Sequence, residues 1–331
     1  MSNQEQPQQS SNKQKNSTMS SDTDQQDTHG FNRRNFLSAG TAAGVAAAGL
    51  GIGSAQAAEP APPQIGREKL RTNSKTNIRT AIITDTQLNI GPFLAEEFAL
   101  RKYNLVIADV QKGLPDKLRK LGAADVVVVP GLEQDGPNNE GVPGQIQKVV
   151  DAAMDKFGGY DSVFIRTAWH GGTTFLEETP ENMQLSYEQN CMAVFYGLQA
   201  VLPPLVKSGG GQVVVQTSAT GEKPHPGVTS YSVMRAAAGM LCRCAALEVA
   251  DKNVTVNVVG TNFMNYPGFK HTLGADKDPK IMEHYLEEIP MGRLGETREA
   301  AHFTMALLDG YNMFTTGGFY PVSGGFNNAG M

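Results

Sequence analysis

Ser218, Tyr231 and Arg235 are the residues of this chain whose types and spacing can do chemistry. Tyr231 and Arg235 are four apart, so on a helix they share a face, one turn from each other. A free phenol has a pKa of about 10, which leaves about one molecule in a thousand as phenolate at pH 7. A fixed cation within roughly 4–6 Å favours the phenolate and lowers that value. Tyr231 then becomes a usable general base, and Ser218 can hydrogen-bond the substrate hydroxyl that it deprotonates. Arg235 holds its proton throughout, so it orients and polarises. Taken singly, each residue reads as a capped strand end or a helix aromatic beside an ordinary cation. Taken together, they fit a catalytic constellation.

Positioning them requires a strand, a loop and a helix. Residues 213–218 are a β-branched run ending in hydroxyls, which predicts a buried strand. From Tyr231 to about residue 250, Ala, Leu and Met repeat at helical spacing. Further upstream, residues 79–84 predict a strand and 92–102 a helix with Pro92 at its first position; 105–109 predict a second strand. This alternation predicts an α/β fold.

Motif order supports the reading. Thr217-Ser218-Ala219-Thr220-Gly221, Ser230-Tyr231-Ser232-Val233-Met234-Arg235, Asn257-Val258-Val259-Gly260, Met291-Gly292-Arg293-Leu294-Gly295 and Thr316-Gly317 before Ser323-Gly324-Gly325 follow one another. In this order they resemble the short-chain dehydrogenases over residues 80–326. That resemblance implies a single Rossmann-like domain: a doubly wound parallel sheet of about seven strands, order 3-2-1-4-5-6-7, with helices on both faces. It also implies a homodimer or homotetramer built on residues 179–207 and 231–250. Arg235 stands where those enzymes carry lysine. Ser/Tyr/Arg resembles the halohydrin dehalogenases, which keep the fold and lack the nicotinamide. Gly260-Thr261-Asn262-Phe263 resembles their halide-site segment. The resemblance implies an anion and substrate pocket at Thr84, Asn89, Gly91, Trp169, Asn262, Phe263, Met264 and Phe269, with Tyr266 adding to its apolar wall. Asn89 and Thr261 depart from the dehalogenase pattern, and Asn190 matches the dehydrogenase proton relay instead. A helix asparagine bonding a carbonyl is the other reading of Asn190.

The first βα turn decides the cofactor expectation. A dinucleotide turn reads Thr-Gly-x-x-x-Gly-x-Gly, its glycines letting the backbone approach the pyrophosphate at a helix N-terminus. This chain reads Thr84-Asp85-Thr86-Gln87-Leu88-Asn89-Ile90-Gly91. Asp85 sets a carboxylate near the pyrophosphate and Asn89 adds bulk. Arg166-Thr167-Ala168-Trp169 replaces the family's Asn-Asn-Ala-Gly. The expectation is therefore a cofactor-independent lyase: Tyr231 deprotonates a hydroxyl, the alkoxide closes an epoxide, and an anion leaves. The alternative is an oxidoreductase using NAD or NADP, with Asp109 on the adenosine ribose. A non-catalytic secreted binding protein on the same fold is the third reading.

The N-terminus adds an address. Residues 1–30 are rich in Gln, Ser, Asn and Asp and predict disorder. Asn32-Arg33-Arg34-Asn35-Phe36-Leu37 matches a twin-arginine export signature, followed by a Gly/Ala-rich stretch and Ala55-Gln56-Ala57. The expectation is cleavage after Ala57, with a retained anchor as the alternative, then a linker over 58–77 and the domain over 78–327. Expected partners are a small-molecule substrate and the twin-arginine translocase, and the destination is periplasmic or secreted. The net charge of −5 and the lack of a basic run after the signal argue against nucleic acid. Cys191, Cys242 and Cys244 make no ligand pattern and are expected to pack as small apolar groups. The six histidines are scattered, so no metal is expected. His225 lies in the loop before Tyr231 and can line the pocket or stay solvated.

Overall fold

The computed structural model describes residues 70–108, 111–130, 145–166, 172–266 and 268–328. The expected export signal, Asp109 and Trp169 lie outside the described residues. Seven strands form one parallel sheet: β1 (Thr80–Ile83), β2 (Asn104–Ala108), β3 (Asp125–Val129), β4 (Ser162–Arg166), β5 (Gly211–Ser218), β6 (Val254–Thr261) and β9 (Phe319–Val322). Their order is 3-2-1-4-5-6-9, the expected doubly wound arrangement. Two short strands, β7 (Met264–Asn265) and β8 (Gly295–Glu296), pair separately. The strand order reverses between β1 and β4, and a crevice opens outside the carboxyl ends of the strands there.

The helices are α1 (Gly91–Leu100), α2 (Leu114–Leu121), α3 (Gln145–Phe157), α4 (Pro180–Ser186), α5 (Ala193–Ser208), α6 (Thr229–Val249), α7 (Phe269–Thr272), α8 (Pro279–Glu287) and α9 (Thr297–Ala306). Alternate strand residues point to opposite faces of a sheet, so one strand feeds two cores. Ile82, Val106, Val213, Val215, Val256 and Val258 pack with α3, α5 and α6. Ala81, Ile83, Leu105, Ile107, Val214 and Val259 pack with α1, α2 and α9 on the other face. β5 and β6 are buried at all eight positions, with an apolar run at 213–215 and valines interrupted by Thr255 and Asn257 in β6. Burying a side chain such as Phe98, Phe157 or Phe164 contributes roughly 1.5–3 kcal/mol.

Two local features bear on the site. Between α4 and α5 the chain makes a wide π-helical turn over Tyr187–Met192. Pro180–Ser208 is long and apolar enough to cross a bilayer, yet Val194, Leu198, Val201 and Leu205 of α5 pack into the sheet core. The residues just before β1, the end of the expected linker, run along the domain. Asp161 accepts the amides of Asn73 (2.7 Å) and Thr80 (2.8 Å) and the Thr72 hydroxyl (2.9 Å).

Candidate active site

β5 ends at Ser218 and α6 begins just before Tyr231, so both arrive at the carboxyl edge of the sheet. Ser218 Oγ accepts the Thr220 amide at 3.2 Å and the Thr220 hydroxyl at 3.0 Å. With two donors already on the oxygen, the Ser218 proton is directed away from Thr220, toward the cavity. Tyr231 and Arg235 are both buried, and the Arg235 guanidinium carbon stands 4.6 Å from the centre of the Tyr231 ring. The i,i+4 relation thus yields a stacked cation–π pair.

Ser218, Tyr231 and Arg235 line one cavity of about 350 Å³. Asn89, Asn262, Phe263, Met264 and Phe269 of the expected pocket line it too. Its walls are aromatic. Phe263 lies 5.5 Å from Tyr285, Tyr266 lies 5.3 Å from Phe269, and the His225 ring stacks on Tyr285 at 5.8 Å. His225 Nε2 meets Glu288 Oε2 at 3.1 Å, which joins the loop before α6 to the residue after α8. Burial and the neighbouring Tyr231 push the Tyr266 phenol upward, while Arg166 pulls it back. Burial and Glu288 push up the Tyr285 phenol.

The turn from Thr84 to Gly91 differs from its sequence reading. Asp85 is 1% exposed, and its carboxylate is ion-paired with Arg166 instead of facing a ligand. The other carboxylate oxygen accepts the amides of Gln87 (2.6 Å) and Leu88 (3.3 Å). Asn89 adopts φ 56°, the left-handed conformation for which a glycine was expected and which asparagine tolerates. Gly91 remains indispensable: a Cβ there would stand 1.8 Å from the Asp85 carbonyl oxygen. A left-handed residue at 89 and a close backbone approach at Gly91 are thus kept, and Arg166 neutralises the carboxylate that argued against a phosphate there. In the cavity, Asn89 Oδ1 and Asn262 Nδ2 make no hydrogen bond among the described residues. An acceptor and a donor thus stand unpaired and buried in residues of the cavity wall, which is compatible with a polar group, such as the nicotinamide end of a dinucleotide, bound beside them.

Other expected residues fall outside the cavity wall. Thr84 is buried behind it, its hydroxyl taking the Arg166 amide at 3.2 Å, and Gly91 starts α1. Asn190 is fully buried in the wide turn and donates to the Ser186 carbonyl at 3.1 Å and hydroxyl at 3.2 Å. Cys191 and Cys242 are buried as expected, but Cys244 is exposed, because two helix positions apart do not share a face. Sequence reasoning passed over Thr220, Arg166 and Tyr285. Thr220 was within reach of it, two residues after Ser218 in the quoted motif.

Residues 86–327 match the sequence model of a family described as enoyl-(acyl carrier protein) reductase. A 2,5-dichloro-2,5-cyclohexadiene-1,4-diol dehydrogenase of Sphingobium indicum is 28% identical over 253 residues, 75% of this chain and 96% of the relative. A cyclohexanol dehydrogenase of an Acinetobacter species is 27% identical over 266 residues, 79% of this chain and 99% of the relative. Among solved structures, an L-sorbose reductase of Gluconobacter frateurii, complexed with NADPH and L-sorbose, superposes with a TM-score of 0.65. It is 24% identical, and the match covers 75% of this chain and 96% of that one. These matches overturn the expected lyase. The family is one of reductases and the relatives are dehydrogenases, so the expectation that the chain works without a cofactor falls with it. The altered turn misled because Asp85 is paired with Arg166 and Asn89 takes the left-handed conformation, and the substitution misled because Arg235 still places a cation beside Tyr231.

Proposed function

This chain belongs to the short-chain dehydrogenase/reductase superfamily, and from that membership we propose a nicotinamide-dependent oxidoreductase that interconverts a secondary alcohol and a ketone on a compact ring. The observation that carries it is the convergence of Ser218, Tyr231 and Arg235 on one aromatic-walled cavity. The ring preference is supported by those walls and by the cyclic alcohols named for the two dehydrogenase relatives. A cavity of about 350 Å³ lies at the small end of ligand sites.

When bound, the nicotinamide accepts or supplies the hydride. The turn from Thr84 to Gly91 would hold the pyrophosphate at the start of α1. Asp109 is the carboxylate that the sequence offers for the adenosine ribose. Ser218 donates a hydrogen bond to the substrate oxygen and keeps its proton, while the Tyr231 phenol gives that oxygen its proton in reduction and takes it back in oxidation. Arg235 fixes the Tyr231 ring from one turn away. Phe263, Phe269 and Tyr285 exclude water and orient the ring of the substrate.

Export by the twin-arginine route is part of the same proposal. An exported enzyme of this kind carries its nicotinamide with it, since little is free outside the cytoplasm. Assembly as a dimer or tetramer is supported by Val233, Met240 and Leu247, exposed at seven-residue spacing along α6. The test starts with the as-purified protein, assayed for bound NAD(H) or NADP(H) and titrated with NADH and NADPH by nicotinamide fluorescence. Oxidation of cyclohexanol is then followed. Binding below millimolar and a rate abolished by Tyr231→Phe are expected; no binding at millimolar nucleotide would end the proposal.

A further inference from the structure

The helix that carries Tyr231 starts without a cap of its own. Val228 occupies the N-cap position of α6 and its side chain makes no capping hydrogen bond. The first amides of any helix lack partners inside it, so they must find them elsewhere. Here the Ser230 amide, one residue before Tyr231, donates to Glu178 Oε2 at 3.0 Å. The Thr229 amide donates to the Thr173 carbonyl at 3.2 Å.

Glu178 is itself held firmly. Its Oε1 accepts the Thr179 amide at 3.2 Å, and Oε2 also faces the Thr173 amide at 3.5 Å. Thr179 caps α4, accepting the Asn182 amide at 3.2 Å. Gly172 lies so near that a Cβ there would stand 3.0 Å from the backbone of Val228 and Thr229. The lip after β4, residues 172–178, is thereby fastened to the first turn of the catalytic helix. Burial opposes ionisation of Glu178, yet hydrogen bonds from Ser230, Asn182 and Thr179 outweigh it and hold the carboxyl at about 2.

We propose that Glu178 is a positioning residue for Tyr231: it supplies the missing cap of α6 from a separate loop and so fixes the turn that aims the phenol. Arg235 restrains the Tyr231 ring from the C-terminal side and Glu178 restrains its backbone from the N-terminal side. A carboxylate also suits the positive end of a helix dipole. The proposal rests on the reading of Tyr231 as the proton-transfer group.

The test compares Glu178→Ala and Glu178→Gln in the full-length protein. Loss of an N-cap is expected to speed amide exchange over residues 229–232 about fivefold in Glu178→Ala. The kcat for cyclohexanol oxidation should fall about tenfold with KM for the alcohol unchanged, the pattern of a lost transition-state alignment. Glu178→Gln still offers an oxygen to Ser230 and should restore both readouts to within about twofold of wild type. Unchanged exchange in Glu178→Ala, or a kcat loss that Glu178→Gln fails to rescue, would overturn it. A rise in KM with kcat intact would overturn it as well. If Glu178→Ala does not fold, Glu178→Asp, one methylene too short for Ser230, takes its place with the same outcomes. Absence of turnover in the wild-type protein would defeat the oxidoreductase reading alone, because amide exchange needs no substrate and still decides whether Glu178 holds the turn.

Discussion

The Arg235 guanidinium carbon lies over the face of the Tyr231 ring, 4.6 Å from its centre, with both side chains buried. An aromatic face attracts a cation, and a planar guanidinium stacks there better than a compact ammonium does. The same contact brings the charge to the phenol and limits the ring to one orientation.

Arg235→Met keeps the bulk and removes the charge. Turnover of the ring alcohol should fall by about a hundredfold, the low end of what a positioned acid–base group contributes. Arg235→Lys should recover part of that rate, since it returns the charge without the stacking. Steady-state formation of reduced nicotinamide at 340 nm reads both variants, and equal rates in wild type and Arg235→Met would take Arg235 out of the mechanism.

Asp85 and Arg166 form a largely buried pair, with side chains 1% and 11% exposed. Removing one partner of such a pair leaves a charge without compensation, so Asp85→Ala should cost about 3–5 kcal/mol. Exchanging both, as Asp85→Asn with Arg166→Met, should recover part of that loss, because the amide oxygen can still accept from the Gln87 and Leu88 amides. Urea midpoints of the single and double variants check this, and a single variant as stable as wild type would contradict it.

Gly91→Ala tests the turn itself. The added methyl would stand 1.8 Å from the Asp85 carbonyl oxygen, a distance only a displaced backbone can relieve. A lower thermal midpoint and at least tenfold weaker NADH binding are expected, as about 1.4 kcal/mol of lost contact would give. Gly113→Ala is the control: its φ of 80° also disfavours a side chain, yet nothing lies within 4 Å of the added methyl. It should cost stability and leave nucleotide binding unchanged.

Glu299 makes an acid-labile contribution. Hydrogen bonds from Arg293 and the Glu296 amide, against a small opposing effect of burial, hold its carboxyl at about 2. That lies below the value of about 4.3 expected in the unfolded chain. Its stabilisation is therefore complete above about pH 4.3 and is lost as the pH falls toward 2. Wild type should lose more stability than Glu299→Gln over that interval, measured as urea midpoint against pH, and the two should converge near pH 2. Both side chains of the pair are 48% exposed, so added salt should shrink the difference.

Much of the fold was legible because its signals are local. The valines of 213–215 read as a buried strand, and an i,i+4 pair needs only the helix beneath it to become a contact. The trio and the aromatic segment Phe263 to Phe269 were legible for the same reason. The orientation of Asp85 was not. Its partner Arg166 is 81 residues away, and the two meet because β1 and β4 pair with Ile83 opposite Phe164, a register that places position 85 beside 166. Tyr285, Glu288 and His225 likewise come from separate elements, and nothing in their local sequence states that they share a wall. The lyase expectation failed at this same point: a carboxylate was read as a charge facing the ligand, when a long-range partner had turned it inward.

The wide turn at Tyr187–Met192 leaves a mark of its own on this chain's history. A π turn accommodates about one residue more than an α turn, and one residue is about 100° of rotation. The stretches before and after it, α4 and α5, both pack on α6, and α5 also packs into the sheet core. A single-codon deletion within 187–192 would return the stretch to regular helix and turn α4 by about 100° relative to α5, so that both could not keep their places on α6. No lone point mutation restores that rotation, so the length of this stretch is held fixed by everything packed on either side of it.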